Sequence, residues 1–323
     1  MNNVVPLANA DRRFTPRSVT APGELAKLCE QYLRHLQVRN LAANTIKAYQ
    51  ADLEQFAGYC LSRDTLYVQH ITAQLLEDFA DALVRGQGCA PRTAARKRET
   101  VKGFLKFAVS RNLLPRNPAD DVAPIQFNTT PTIAPETDQL LSVIREIPGD
   151  TLIGIRDRAF FRLLFDGACR ISGICSLDVY DPAQPAINTV HNMTVTFTNK
   201  GGRIEANPID DITQQYLDAW LAVRHRWAGD DQPALFVNNR GNRITRAGMH
   251  DRCKVYGKAA GLPHLHLHLF RHRRTGEVYD TLGPRAAQFM AKHKDIRTTM
   301  NVYGHHADPF MRAQLRDKCK LGE

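Results

Sequence analysis

The side chains that could do chemistry together are concentrated near the C-terminal end of the chain, from His264 to His306. This segment holds His268, Arg271, His293 and Tyr303 and has little acidic character. His268 and Arg271 are three residues apart, so a helix would present both from one face. Guanidinium groups bind phosphate oxygens through paired N–H donors, and imidazoles exchange protons near neutral pH. The set would suit the attack of a tyrosine phenol on a phosphodiester.

A further arginine precedes a short apolar helix in the middle of the chain. Gly167 lies three residues before Arg170, and Ile171, Ile174 and Leu177 follow at helical spacing. This pattern predicts that Arg170 stands at the start of a buried helix. A buried arginine needs a partner, which could be a bound phosphate or an internal salt bridge.

A lysine lies at the tip of a predicted β-hairpin. Residues 186–209 alternate apolar and polar side chains on both sides of Asn199-Lys200-Gly201-Gly202. Lysine beside a glycine turn is common on any protein surface, so the hairpin alone gives Lys200 no role. Its mobile ammonium group could, however, reach into a groove and give a proton to a leaving oxygen.

Together these motifs resemble the tyrosine recombinases, the phage integrase family. The matching residues are His268-Leu-Phe-Arg271-His272, His293, Thr298-Thr299 and Tyr303, together with Gly167, Arg170 and Leu177 of the earlier arginine motif. Two positions depart from the family pattern. Lys292 stands where glycine is usual, and Gly173 replaces a glutamate that normally helps to orient the catalytic cluster.

The resemblance implies a catalytic set of Arg170, Lys200, His268, Arg271, His293 and Tyr303. Tyr303 would attack the scissile phosphate, giving a 3′-phosphotyrosyl bond and a free 5′-hydroxyl. The two arginines would stabilise the charge at phosphorus, and Lys200 would protonate the leaving oxygen. His268 would take or share the tyrosine proton, and His293 would hold a phosphate oxygen. No cofactor and no metal would be needed.

The resemblance also implies a function and its partners. The expected activity is site-specific recombination of double-stranded DNA, in integration, excision or resolution of a co-integrate, as for a mobile element. Four protomers would assemble on two DNA sites, and an accessory protein is a further candidate partner. Two alternatives stay open: a DNA-binding protein of this fold with impaired catalysis, and a DNA-relaxing enzyme similar to type IB topoisomerases.

Composition agrees with a polyanionic partner. The 323 residues carry a formal net charge of +10, with 43% hydrophobic and 24% charged residues. This balance favours nucleic acid first and an anionic membrane surface second. No apolar run approaches the roughly 18–20 residues of a membrane span. Seven scattered cysteines without a C-x-x-C pair predict reduced thiols in a cytoplasmic protein.

Periodicity predicts a mainly α fold with a small β-sheet, in two domains. We divide the chain into a flexible N-terminal arm (1–21), a helical DNA-binding domain (22–113), a linker (114–135) and a mixed α/β catalytic domain (136–323). In the first domain we expect four helices similar to the family's core-binding domain, the second capped by Asn44 or Thr45. The pattern also predicts a closing helix from Asp308 to Lys320, and the resemblance implies that this segment contacts a neighbouring protomer.

The fourth helix, from about Pro91 to Ser110, is dense in positive charge. Its cations include Arg92, Arg96, Lys97, Arg98, Lys102 and Lys106, opposed only by Glu99. We predict that Arg92, Arg96, Arg98, Lys102 and Lys106 contact the DNA backbone, although a solvated helix face would also carry such charge. Arg246, on a later basic helix, is a further candidate with the same alternative.

A metal site is the chief chemical rival of the phosphate site. His264, His266 and His268 alternate, so on a β-strand all three would share a face and could bind zinc. No acidic residue follows closely to complete such a cluster, and the arginines after His268 would repel a cation. We therefore predict no metal site.

Overall fold

The computed structural model of the chain describes residues 24–127, 132–183, 187–198 and 202–304. The chain divides into two compact units, Met1–Thr130 and Pro131–Glu323. Three predicted features lie outside the described residues: the N-terminal arm, Lys200 and the closing helix after Asp308.

Four helices form the first unit. They are α1 (Glu24–Val38), α2 (Ala43–Leu61), α3 (Ala73–Asp81) and α4 (Pro91–Ser110), with 3-10 turns at Val68–His70 and Pro118–Asp120 and a π turn at Ala82–Gly86. Each helix buries its apolar stripe in one common core, which includes Phe56, Phe104 and Leu105. The four helices predicted from periodicity are confirmed.

The start of α2 differs from the prediction. Neither Asn44 nor Thr45 caps the helix; Ala42 holds the N-cap position and makes no side-chain hydrogen bond. The reason is the turn before it, where Asn40 takes a left-handed φ of 55°, a conformation that asparagine tolerates. Ala42 is therefore already placed so that its carbonyl accepts from the backbone N–H groups of Thr45 and Ile46.

The chain after α4 stays with the first unit for longer than expected. Leu114, Ala119 and Val122 are buried in the core of that unit, while Ala134 packs against the core of the second. The stretch that joins the two cores is therefore shorter than the 114–135 linker predicted from proline content.

The second unit combines eight helices with one sheet among the residues described. The helices are α5 (Thr137–Glu146), α6 (Leu152–Asp166), α7 (Ile171–Cys175), α8 (Asp211–Arg224), α9 (Arg246–Ala259), α10 (Leu267–Leu282), α11 (Pro284–Ala291) and α12 (Ile296–Tyr303). The strands are β1 (Thr189–His191), β2 (Thr194–Thr198) and β3 (Ile204–Pro208). Phe160, Trp220 and Phe270 are fully buried in the core. The mainly α fold with a small β-sheet is confirmed.

The three strands form an antiparallel sheet in the order β1-β2-β3. The predicted hairpin is confirmed, and its last described pair is Thr198 with Ile204. Outside these strands, single β-bridges join Ala234 to Asp178 and Val237 to Arg243.

Within the described ranges, no helix combines the length and the apolar character needed to cross a membrane.

Candidate active site

Arg170 occupies the N-cap position of α7, as its sequence context predicted. The chain reverses just before it, where Ala168 takes a left-handed φ of 45°. The guanidinium Nη1 of Arg170 lies 3.7 Å from the carboxylate of Glu205 on β3. Nη1 is buried and has no hydrogen-bond acceptor among the residues that the structure describes. Arg170 therefore has an internal ion pair and still keeps a donor for a ligand.

Arg271 is buried in the middle of the second unit, with 3% of the residue exposed. From α10 its Nη1 donates to the carbonyl of Ala168 at 2.5 Å, and its Nη2 donates to the carbonyl of Ala291. The side chain thereby joins the turn before α7 to the end of α11. A guanidinium has five N–H donors, so these two bonds leave others for a phosphate.

His268 lies on α10 one turn before Arg271, on the same face of the helix. Partial burial of the ring, followed by the charges of Arg271 and His272, lowers the pKa of His268 below its usual value. The imidazole is therefore neutral at pH 7. A neutral imidazole can accept a proton, which is the role expected of this residue.

His293 follows the end of α11 and is fixed by α12. Its Nδ1 is hydrogen bonded to the buried hydroxyl of Thr299 at 2.9 Å. Burial, followed by the charges of Arg271 and Arg170, lowers the pKa of His293 to about 4. This ring is also neutral at pH 7, and the bond to Thr299 leaves Nε2 for another partner.

Tyr303 is the last residue of α12, and 4% of it is exposed. Its ring packs against His272, at 4.9 Å between centroids, and against Tyr279, at 6.1 Å. Burial raises the pKa of Tyr303; the neighbouring Thr275 hydroxyl and the charge of Arg271 act in the opposite direction. The phenol is therefore protonated at neutral pH and needs a base when it attacks.

Five of the six predicted catalytic residues share one electrostatic neighbourhood. Burial and then the charge of Arg170 lower the pKa of Arg271 to about 10. Both arginines and His268 lower the pKa of His293, and Arg271 acts on Tyr303. The cluster is thus a crowded positive site beside a buried phenol. An anionic phosphate group would fit such a site. The sixth residue, Lys200, lies outside the described residues.

Two residues of this site were not singled out from the sequence. Thr275 lies one turn after Arg271 on α10, so the helical spacing alone could have placed it on the same face. Glu205 lies on β3, where inward and outward positions alternate, and its position is buried. An acidic residue at an inward strand position was the available signal.

The predicted DNA-binding cations differ in their surroundings. Three are engaged within the first unit: Arg96 with Asp52, Arg98 with the carbonyls of Ala119 and Val122, and Lys102 with Asp120. Arg92 and Lys106 are exposed, and neither has an ion pair within the part of the chain that is described. Arg246, the first residue of α9, is exposed in the second unit.

The arrangement needed for the rival zinc site is not formed. His266 is the N-cap of α10, which begins at Leu267, so His264, His266 and His268 do not alternate along a strand. Over the ranges described, no group of three or more His, Cys, Asp or Glu side chains could hold a metal ion.

Comparison with known proteins gives two family matches. The model of the phage integrase family matches residues 134–309, which contain the whole cluster around Tyr303. The chain belongs to the phage integrase family. The model of the phage integrase N-terminal SAM-like domain matches residues 29–112, which lie in the first unit.

Curated relatives and solved structures agree with this membership. Tyrosine recombinase XerC of Roseiflexus sp. (strain RS-1) is 32% identical over 287 residues, covering 85% of this chain and 88% of the relative. Tyrosine recombinase XerC of Pseudomonas putida (strain KT2440) is 29% identical over 279 residues, covering 85% and 90%. The fold is similar to that of XerH site-specific recombinase bound to palindromic difH substrate, with a TM-score of 0.70, 18% identity and coverage of 91% and 84%. The Tn1549 transposon integrase in complex with a circular intermediate DNA has a TM-score of 0.68, 20% identity and coverage of 90% and 99%.

Both departures from the phage integrase pattern have structural consequences. Lys292 ends α11 with a left-handed φ of 49°, a conformation that glycine would adopt without steric cost. Its Nζ donates to the carbonyl of Ala206 at 2.7 Å, which ties α11 to β3. At the other departure, a Cβ added to Gly173 would lie 3.2 Å from the ring of Phe197. Phe197 therefore fills the side where the family's glutamate would start.

We expect acid to destabilise this protein through His293. An unfolded histidine titrates near pH 6.5, whereas the folded His293 has a pKa of about 4. Between these values the unfolded state binds more protons, so the free energy of unfolding decreases as the pH falls from about 6.5 to about 4. Thermal unfolding measured across this range should show a smaller decrease in melting temperature on acidification for His293→Gln than for the wild type.

The exposed His264 provides the matched control for that experiment. His264→Gln removes the same side chain away from the cluster, so its unfolding curve should follow that of the wild type. If acidification lowers the melting temperature of His293→Gln as much as that of the wild type, His293 is not held neutral by the cluster.

Proposed function

We propose that this protein is a site-specific tyrosine recombinase that cuts and rejoins DNA strands through a 3′-phosphotyrosyl intermediate. The observation that carries the proposal is the buried Tyr303 beside two arginines and two neutral imidazoles. Relatives named tyrosine recombinase XerC support it, as does the fold shared with recombinases solved on DNA.

The proposed reaction exchanges one phosphate ester for another. The phenol oxygen of Tyr303 attacks phosphorus, and the bond from phosphorus to the 5′ oxygen breaks. His268 takes the phenol proton, and Lys200 supplies a proton to the 5′ oxygen that leaves. The bond between Tyr303 and DNA is itself a phosphate ester. A 5′-hydroxyl can therefore attack this bond later and rejoin the strand without nucleotide hydrolysis.

The arginines would stabilise the charge that develops at phosphorus. Arg170 and Arg271 each keep N–H donors beyond their internal contacts, and both contribute to the same positive field. Fixed donors in a site of low water content stabilise such charge strongly. His293, neutral and oriented by Thr299, would donate to a phosphate oxygen.

The neutral state of the two histidines supports this division of roles. A protonated His268 could not accept the tyrosine proton, and the raised pKa of Tyr303 makes a base necessary. When the anionic phosphate enters, it offsets the repulsion among the cations. The site would then favour a proton arriving on His268, which is the state that follows the attack.

We assign DNA binding to residues 22–113 and catalysis to residues 136–323. The proposed substrate is double-stranded DNA with a specific recombination site, in integration, excision or resolution of a co-integrate. Four protomers on two sites would carry out strand exchange, with the segment after Asp308 contacting a neighbouring protomer. This arrangement, and an accessory protein, rest on the family resemblance.

We expect the exposed cations of α4 to contribute to DNA affinity through phosphate contacts. Replacing Arg92 or Lys106 with alanine should weaken binding to any DNA sequence. Each should flatten the slope of log K against log salt by about 0.9. The measurement is DNA affinity at several salt concentrations.

Lys97 on the same helix is the matched control, because its ammonium group is mostly covered and binds Gln55 and the buried Asp52 within the first unit. Lys97→Ala should lower the melting temperature while leaving the salt slope of the folded protein nearly unchanged. If the Arg92→Ala, Lys106→Ala double variant has the salt slope of the wild type, α4 does not contact the DNA.

The function is tested by selecting bound fragments from the protein's own genetic neighbourhood and placing two copies of a selected site on one plasmid. Recombination should delete or invert the intervening DNA, depending on site orientation. Relaxation of the plasmid without exchange would favour a topoisomerase-like activity. Binding without any covalent adduct would favour a DNA-binding protein that has lost catalysis.

A further inference from the structure

Glu205 is a carboxylate at a buried, inward position of the sheet. It lies in β3 opposite Phe197 of β2, and strand burial alternates so that Glu205 and Asn207 face inward. Only 6% of Glu205 is exposed. A buried carboxylate is costly unless cations or hydrogen-bond donors stabilise it, so its surroundings indicate why it is there.

Those surroundings are the cations of the phosphate site. The guanidinium of Arg170 is 3.7 Å away. The charge of Glu205 also raises the pKa of Arg271 and of Lys292, against the larger effect of burial. Lys292 reaches the neighbouring Ala206 carbonyl, so its ammonium is held on the same strand. Glu205 is thus a negative charge shared among cations that repel one another.

The residue that the family uses for orientation is missing on the other side. Gly173 provides no carboxylate, and the Phe197 ring occupies the space next to its Cα. The cluster therefore has a carboxylate from the sheet in place of one from α7. Gly173 and Glu205 are 32 positions apart in the sequence. Phe197 adjoins both, because its ring lies next to Gly173 and its strand position pairs with Glu205.

We propose that Glu205 is a positioning residue that holds the guanidinium of Arg170 toward the scissile phosphate, in place of the glutamate absent at Gly173. The role rests on the proposed recombinase chemistry. Without Glu205, repulsion from Arg271 would drive the partly exposed Arg170 side chain outward, toward solvent. With it, Arg170 stays inside and keeps its buried Nη1 available to a phosphate oxygen.

The sharpest test is Glu205→Gln, which keeps the shape of the side chain and removes its charge. Covalent adduct formation should slow by about 10- to 100-fold, the same scale as the loss of a residue that orients a metal ligand. DNA affinity should stay equal or increase, because a negative charge has been removed from the site. A residue with a purely structural role would lower the melting temperature without this divergence between binding and rate.

Asp178→Asn is the matched control, since Asp178 is also a partly buried carboxylate with an arginine partner, Arg243, at 2.5 Å. It should form adduct at the wild-type rate. Glu205→Asp, which keeps the charge, should be faster than Glu205→Gln and serves if the latter does not fold. Wild-type adduct formation by Glu205→Gln would overturn the proposal.

A second measurement does not depend on recombination. In protein with ¹⁵N-labelled arginine, the Arg170 guanidinium signals, identified by their loss in Arg170→Lys, should indicate restricted rotation. Glu205→Gln should abolish that restriction for Arg170. Unchanged Arg170 signals in Glu205→Gln would overturn the positioning role. This measurement can be made even if the wild type forms no adduct. A wild type without adduct would count against the proposed function and not against the role of Glu205.

Discussion

Tyr303→Phe should form no covalent adduct with DNA. The substitution deletes only the phenol oxygen that is proposed to attack phosphorus, while the ring keeps its contacts with His272 and Tyr279. The test uses a duplex nicked just beyond the scissile phosphate, so that the short 5′-hydroxyl fragment diffuses away and the intermediate is trapped. Wild-type protein should then migrate as a protein–DNA adduct on a denaturing gel, in EDTA and without ATP, whereas the variant should bind the same DNA with nearly unchanged affinity.

Tyr279→Phe is the matched control. Tyr279 is also buried and packs against Tyr303, yet it is not proposed to touch phosphate, so this variant should still form the adduct. An adduct that persists in Tyr303→Phe would show that another residue is the nucleophile. Strict dependence on a divalent metal would contradict the proposed mechanism.

Much of this site could be predicted because its residues lie at helical spacings in short segments. His268 and Arg271 share a face of α10 for that reason, and Arg170 was placed at the start of α7 by the apolar residues that follow it. Local patterns of this kind depend on the few residues around each position. The predicted N-cap of α2 was wrong because the turn before the helix, at Asn40, lies outside the helical pattern.

Contacts between distant segments could not be predicted in this way. Glu205 becomes important only when β3 meets the start of α7. The buried Asp52 likewise binds Arg96 across 44 positions, which gives that arginine an internal partner that its helix alone did not reveal. The density of charge on α4 was apparent from composition, but which cations are occupied depends on tertiary packing.

The second large effect is expected from Arg271→Lys, which should reduce the rate of adduct formation by about 10²–10³-fold, the usual cost of removing a transition-state donor. Arginine holds two carbonyls, of Ala168 and Ala291, and still has N–H groups for a phosphate. Lysine keeps the charge but has only three donors on one nitrogen, so it cannot bind both carbonyls and orient a phosphate together. Single-turnover adduct formation on the nicked duplex measures the effect.

Arg273→Lys on the same helix controls for the loss of a guanidinium, because Arg273 pairs with Glu136, at 2.6 Å, away from the cluster. It should react at close to the wild-type rate. The melting temperature of each variant shows how much of any loss comes from the two carbonyls left without Arg271. If Arg271→Lys is folded and reacts as fast as Arg273→Lys, charge alone suffices at this position. The paired geometry of the guanidinium would then have no part in the reaction.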